Sequence, residues 1–163
     1  MAIFPQGLTQ IDRRCANAGE RSTLQQLKRC LSDDYMVWHD VSIGPKARQP
    51  DFVILSPRRG LLILEVKHWA WATIQNRRIT KDSVDLLTDK GLVSSPHPLR
   101  QARDYAMGLN SVLLADPALV ETQGTFKGKS RVPYGWGCVL SNLRQRQVVG
   151  TDMEQVFPAY KTL

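Results

Sequence analysis

Pro50-Asp51-Phe52-Val53-Ile54-Leu55-Ser56-Pro57-Arg58-Arg59-Gly60-Leu61-Leu62-Ile63-Leu64-Glu65-Val66-Lys67 is the stretch on which the fold of this chain turns. Two apolar runs of strand length, 51–56 and 61–67, flank a segment of proline, arginines and glycine, which is a β-hairpin signal. Register decides which side chains share a face, because side chains alternate along a strand. If Arg58-Arg59-Gly60 form a three-residue loop, Gly60 supplies the left-handed residue of a G1 bulge, and Pro57 faces Leu61, Val53 faces Glu65 and Asp51 faces Lys67. Asp51, Glu65 and Lys67 then project from one face near one end of the hairpin, whereas a four-residue loop puts Asp51 on the opposite face from both. Both faces are otherwise apolar: Phe52, Ile54, Leu62, Leu64 and Val66 line one, and Val53, Leu55, Leu61 and Ile63 the other. Such a pair is expected at the centre of a sheet covered by helices on both sides.

Outward from the hairpin, Leu24, Leu27 and Leu31 recur at helical spacing and predict a helix over 18–32. Asn17 is placed to cap it, with Glu20 in the first turn where a carboxylate complements the helix dipole. The segment 35–41 reads as a strand. Further strands are expected at 72–75, 84–88 and 134–140. A second helix is expected over 98–114, opened by Pro98 and marked by Leu99, Ala102, Ala106, Leu109 and Leu113 on one stripe. Gln101 and Tyr105, four apart on that helix, share a face.

With 163 residues, 42% of them hydrophobic, the chain is expected to form a single domain, its core over about 18–140. Lys and Arg exceed Asp and Glu by 22 to 15, a net charge of +7 that favours polyanionic partners, nucleic acid first. No apolar run approaches the roughly 18 residues needed to cross a bilayer, which excludes a membrane-spanning protein. The first residues lack the basic and apolar regions of a secretory signal, so a cytoplasmic location is expected. Cys15, Cys30 and Cys138 form no C-x-x-C pair, and His39, His68 and His97 form no H-x-x-x-H or H-x-x-E-H motif. By motif spacing, no disulfide framework, no thiolate zinc site and no zincin-type protease is encoded.

Chemistry concentrates at Asp51 and at Glu65-Val66-Lys67. Two carboxylates converging from neighbouring strands make an oxygen-rich site for Mg²⁺, a cation that takes one or two protein carboxylates and keeps several waters. The Val66 carbonyl, on the same strand edge, is a third candidate ligand. The Lys67 ammonium is a compact charge suited to neutralising a phosphate or holding an attacking water, and the set suits metal-assisted phosphodiester hydrolysis. A surface ion pair is the bland reading of E-x-K, but Glu65 and Lys67 end an apolar strand, where unpaired charge is expensive. For Glu20 two roles stay open: dipole partner of its own helix, or a carboxylate reaching the metal site. Trp69 and Trp71 are expected to alternate on a strand, as packing residues rather than a base-stacking platform. His68 is expected on the other face from Lys67. Arg77, Arg78, Lys127, Lys129 and Arg131 fall in turn-like segments and are candidates for phosphate contacts.

The order of these features resembles the nuclease-related domain, NERD, of the PD-(D/E)xK nuclease superfamily. Gly19-Glu20 opening a helix, the run from Asp51 to Leu55, the turn ending Arg59-Gly60-Leu61, and Glu65-Val66-Lys67 followed by the aromatic Trp69 all fall in that family's order, over roughly residues 18–114. The resemblance implies an α/β fold with a mixed central β-sheet flanked by helices, the restriction-endonuclease-like core. It also implies Mg²⁺ or Mn²⁺ as cofactor and DNA as substrate. Gln101 and Tyr105 are similar to the Q-x-x-x-Y accessory motif of RecB-type nucleases, which implies a catalytic role for Gln101 and a nucleic-acid contact for Tyr105. Such domains often precede helicase, kinase or DNA-binding modules, so the chain is expected to be the N-terminal piece of a larger protein. The leading expectation is a metal-dependent DNA endonuclease. A catalytically inactive DNA-binding or targeting module with the same fold is the alternative, and an RNA-processing enzyme is not separable from the first by sequence.

Overall fold

In a computed structural model of the chain, which describes residues 1–15, 17–74, 77–80, 82–151 and 153–156, the apolar runs around Pro57-Arg58-Arg59 pair as a hairpin. The elements follow one another as α1 (Leu8–Arg14), α2 (Ala18–Cys30), β1 (Met36–His39), β2 (Phe52–Ser56), β3 (Gly60–Lys67), α3 (Trp71–Ile74), β4 (Arg77–Ile79), β5 (Ser83–Thr88), β6 (Gly91–Pro96), α4 (Pro98–Leu114), a 3-10 turn (Pro117–Leu119), β7 (Tyr134–Leu140), α5 (Gln145–Val148) and α6 (Met153–Val156). β1, β2, β3 and β7 form one sheet in that order, antiparallel except for the parallel pair β3 and β7. A parallel pair needs a crossover. Here the crossover carries α4, and ahead of it a second, antiparallel sheet of β4, β5 and β6. The fold is therefore α/β with a mixed central sheet and flanking helices, a restriction-endonuclease-like core.

The hairpin register differs from the expected one by two residues. Ser56 pairs with Gly60, Leu55 with Leu61 and Val53 with Ile63, so the loop is Pro57-Arg58-Arg59. Proline has no N–H to give a ladder and its φ suits the second position of a turn. Pro57 takes that position, with the Arg59 N–H donating to the Ser56 carbonyl at 3.3 Å. Gly60 has φ +80° as expected, but within the strand rather than the loop. A Cβ there would lie 2.0 Å from the Pro133 carbonyl oxygen, which accepts the Leu61 N–H at 2.8 Å, so glycine is required on two counts. A shift of two preserves the alternation of faces. Asp51, one step beyond the Phe52–Leu64 pair, falls opposite Glu65 instead of Lys67, yet stays in phase with Val53, Glu65 and Lys67.

The two faces divide as the sequence pattern requires. Phe52, Ile54 and Val66 are buried against Ile11, Cys15 and Leu24 from the α1 and α2 side. Val53, Leu61 and Ile63 are buried against Ala106, with Leu109 and Leu113 of α4 alongside. The helix expected over 18–32 ends at Cys30, where Leu31 turns to an extended conformation. Asn17 caps it, its side chain accepting the Glu20 N–H at 2.9 Å.

Beyond Lys67 the strand expected at 72–75 is instead the single helical turn α3, and Gln75 lies outside the described residues. The Ala70 carbonyl accepts from the Thr73 and Ile74 N–H groups, and the turn drives Ile74 fully into a third core with Val84, Leu86 and Met153. Trp69 and Trp71, no longer on a strand, pack against that core as expected of packing residues. Arg77 and Arg78 fall in β4 rather than a turn. Helix α1 and strands β4 and β6 are additions that the sequence pattern did not predict.

Candidate active site

Asp51 stands just before β2, while Glu65 and Lys67 end β3, and α4 crosses them with Gln101 and Tyr105. The Val66 N–H donates to Asp51 Oδ2 at 2.6 Å. Lys67 Nζ donates to Glu65 Oε1 at 2.7 Å and to Gln101 Oε1 at 3.4 Å, and Gln101 Nε2 donates to the Tyr105 hydroxyl at 2.8 Å. These contacts bring five of the expected site residues together, Asp51, Glu65, Val66, Lys67 and Gln101, with Tyr105 behind them. In an extended strand a residue's N–H and C=O point the same way. The Val66 carbonyl therefore points to the Asp51 side.

Electrostatically the cluster is short of positive charge. Glu65 is 3% exposed, and its Oε2 is buried with no hydrogen-bond partner. Burial pushes the Glu65 carboxyl above its ordinary range, against the Lys67 hydrogen bond that lowers it, and Asp51 raises it further. Asp51 is likewise raised, first by burial, then by Glu20, while the Val66 N–H, Lys67 and His39 pull it down. Two carboxylates held near one lysine, one of their oxygens dry and unpaired, form a donor set that a hard dication satisfies. The residues present fit a hard divalent cation. Cys138 of β7 pairs with Glu65 in the ladder, and burial pushes its thiol up to about 12.

Glu20 sits on the other face. One carboxylate oxygen is 3.0 Å from His39 Nε2, and the other meets the Asn17 amide. Its charge nevertheless reaches both Asp51 and Glu65. His39 is a site residue that motif reading missed. It pairs with Phe52 in the ladder, one step from Asp51, a nearness that only the register of β1 on β2 creates. His68, as expected, turns away from Lys67, bonding Ser141 Oγ through Nδ1 at 2.9 Å and lying against Gly19.

The basic candidates separate. Lys127 and Lys129 lie in the segment that enters β7 at Tyr134 beside Leu61, the hairpin end of the sheet. Six residues of strand, about 20 Å, separate Leu61 from Lys67. Lys129 sits over the Phe126 ring at 5.4 Å, and Arg131 is 3.8 Å from Glu121. Arg78 is exposed on β4, and the Arg77 side chain lies outside what the structure describes. Nearer the carboxylates, Arg100 and Arg103 flank Gln101 on α4 and line a groove with Asp82, His97, Leu99 and the exposed Trp136. Arg100 and Arg103, three apart on α4, share a helix face, and that spacing is a signal that could have found them.

A mixed α/β sheet with carboxylates and a lysine at the end of its central hairpin defines a nuclease-type core. The chain belongs to the nuclease-related domain (NERD) family, whose sequence model matches residues 16–129. That match takes in α2, the hairpin and α4, and leaves α1 and β7 outside. No curated protein and no solved structure matches the chain. Among the described residues, no helix is long and apolar enough to cross a membrane.

Proposed function

We propose that this domain is a metal-dependent DNA endonuclease that hydrolyses phosphodiester bonds, working beside a helicase or other DNA-processing module. The observation that carries the reading is the dry, unpaired Glu65 Oε2 beside Asp51, with Lys67 already fixed on the other oxygen. Asp51, Glu65 and the Val66 carbonyl would hold Mg²⁺ or Mn²⁺. When bound, the cation supplies charge for the phosphate and lowers the pKa of a coordinated water. Lys67, aimed by Glu65 Oε1 and Gln101 Oε1, neutralises phosphate charge or orients the attacking water, and Tyr105 holds Gln101 and borders the path of the nucleic acid. Glu20 contributes field rather than contact. Arg100 and Arg103, which pair with Asp82 and Asp104, and the exposed Arg78 would supply contacts to backbone phosphates, with Arg77 a candidate from the sequence alone. Lys127 and Lys129 would meet only a duplex long enough to span the sheet.

Plasmid nicking by the purified protein in Mg²⁺ or Mn²⁺, against the same reaction in EDTA, tests the reading. Wild type is expected to nick only with metal, and Asp51→Asn to lose cleavage together with metal binding. Chelator-indifferent DNA binding without cleavage would favour the inactive binding module, which the charge of +7 serves equally well.

A further inference from the structure

Cys15 follows α1, Glu20 lies in the first turn of α2, and His39 ends β1. From these three separate elements a thiol sulfur, a carboxylate oxygen and a ring nitrogen come within 4.8 Å of one another. Cys15 is 3% and His39 2% exposed. The ladder pairs His39 with Phe52, so its side chain falls on the α1 and α2 face, away from the face of Glu65 and Lys67. His39 Nε2 meets Glu20 at 3.0 Å, while Nδ1 is buried with no partner. Nε2 is the ring nitrogen that faces the carboxylate, so a cation shared with Glu20 and Cys15 would take Nε2, and the buried Nδ1 on the far side of the ring would carry the proton of the neutral imidazole.

We propose that Cys15, Glu20 and His39 form a second cation site, selective for a thiophilic d-block dication such as Zn²⁺ and separate from the Asp51 and Glu65 pair. The donor set decides the cation. Sulfur with imidazole and carboxylate suits zinc, whereas Mg²⁺ demands near-octahedral oxygen. Tetrahedral zinc with bonds of about 2.0–2.3 Å sets its ligands roughly 3.3–3.8 Å apart, so Glu20 and His39, at 3.0 Å, open by a few tenths of an ångström and Cys15 closes by up to about 1 Å. Three protein ligands leave a fourth position for water. The bound ion ties the end of α1, the start of α2 and the end of β1 together. It also offsets the Glu20 charge felt at Asp51 and Glu65.

Co²⁺ is the probe, because a thiolate ligand gives it a charge-transfer absorption in the near ultraviolet that oxygen ligands do not. In a Cys30→Ser background, which removes the exposed thiol, the metal-free protein is titrated with Co²⁺ and then Zn²⁺. The expected result is a thiolate band saturating at one equivalent, bleached by Zn²⁺ and untouched by excess Mg²⁺. The band is lost in Cys15→Ser, weakened at least tenfold in affinity in His39→Ala, and retained in Glu65→Gln. Circular dichroism confirms that each variant is folded. Zn²⁺ at about a hundredfold over its dissociation constant is expected to raise Tm by roughly 5–10 °C. Absence of a thiolate band in the folded protein, or its persistence in Cys15→Ser, overturns the proposal. Neither result bears on cleavage, so the nuclease reading stands or falls separately.

Discussion

The two faces of the central hairpin end in polar clusters of different chemistry. Toward α4, Glu65, Lys67 and Gln101 present oxygens and one ammonium, and the cation deficit sits on a carboxylate oxygen. Toward α2, Cys15, Glu20 and His39 offer sulfur, oxygen and nitrogen, and the unpaired atom is a ring nitrogen. Asp51, at the strand end, feels charges from both sides. Alternation sets the two faces apart: residues in phase with Val53 face α4, while those in phase with Phe52, and His39 beside it on β1, face the side where α1 and α2 bring Cys15 and Glu20.

The largest effect expected is on the α4 face. Lys67→Ala leaves both carboxylates for the cation, yet cleavage is expected to fall about 10²–10³-fold, the usual loss of a preorganised charge. Single-turnover rates at saturating metal check this, and a wild-type rate would remove Lys67 from the chemistry. Next comes Gly60→Ala at the hairpin's other end. Its Cβ would meet the Pro133 oxygen and its φ is positive, so a stability loss of about 2–4 kcal/mol is expected from strain and displacement of β7. Thermal and urea unfolding measure it, and an unchanged Tm would mean that the close approach relaxes freely.

Gln101→Ala probes positioning. Lys67 keeps Glu65 but loses its second acceptor, and a drop of about 10-fold in kcat with little change in KM is expected. A larger fall in KM-dependent binding than in kcat would place Gln101 on the substrate instead. The smallest effect is in pH. Asp51 and Glu65 are raised above their ordinary values by burial, so the folded protein binds their protons more tightly than the unfolded chain does. The stability they contribute is full below the unfolded carboxylate range and is lost as pH rises through the raised folded values. In EDTA, wild type is therefore expected to lose Tm between mildly acidic and neutral pH relative to an Asp51→Asn, Glu65→Gln double variant. Parallel Tm profiles would show that the carboxylates are not shifted.

Much of this was legible in the sequence because alternation and glycine placement are local. The two apolar runs, their opposite faces, the positive φ of Gly60 and the helix opened by Pro98 all follow from residue types within a few positions. The register was off by two because competition between Pro57 and Gly60 for turn positions is settled by Pro133, which is distant in sequence. The segment after Lys67 departs from expectation for a related reason: a stretch of four residues fits one helical turn or a strand, and burial of Ile74 beside Met153 chooses. His39 and Cys15 carry no motif spacing. Their approach to Glu20 is made by strand pairing and helix packing, contacts that no local window contains. The separation of Lys127 and Lys129 from Lys67 likewise follows from the parallel direction of β7.

That parallel strand also sets where the chain can be cut. The family match stops at residue 129, but β7 pairs with β3 along its length from Leu61 to Lys67. A fragment ending with the match would leave β3 as a sheet edge, with a row of open N–H and C=O groups running from Leu61 through Ile63 to Lys67. Exposed apolar edges recruit other chains. Solubility is thus the property that residues 130–140 guard, and fragments designed from the family boundary alone are expected to aggregate before any activity could be read.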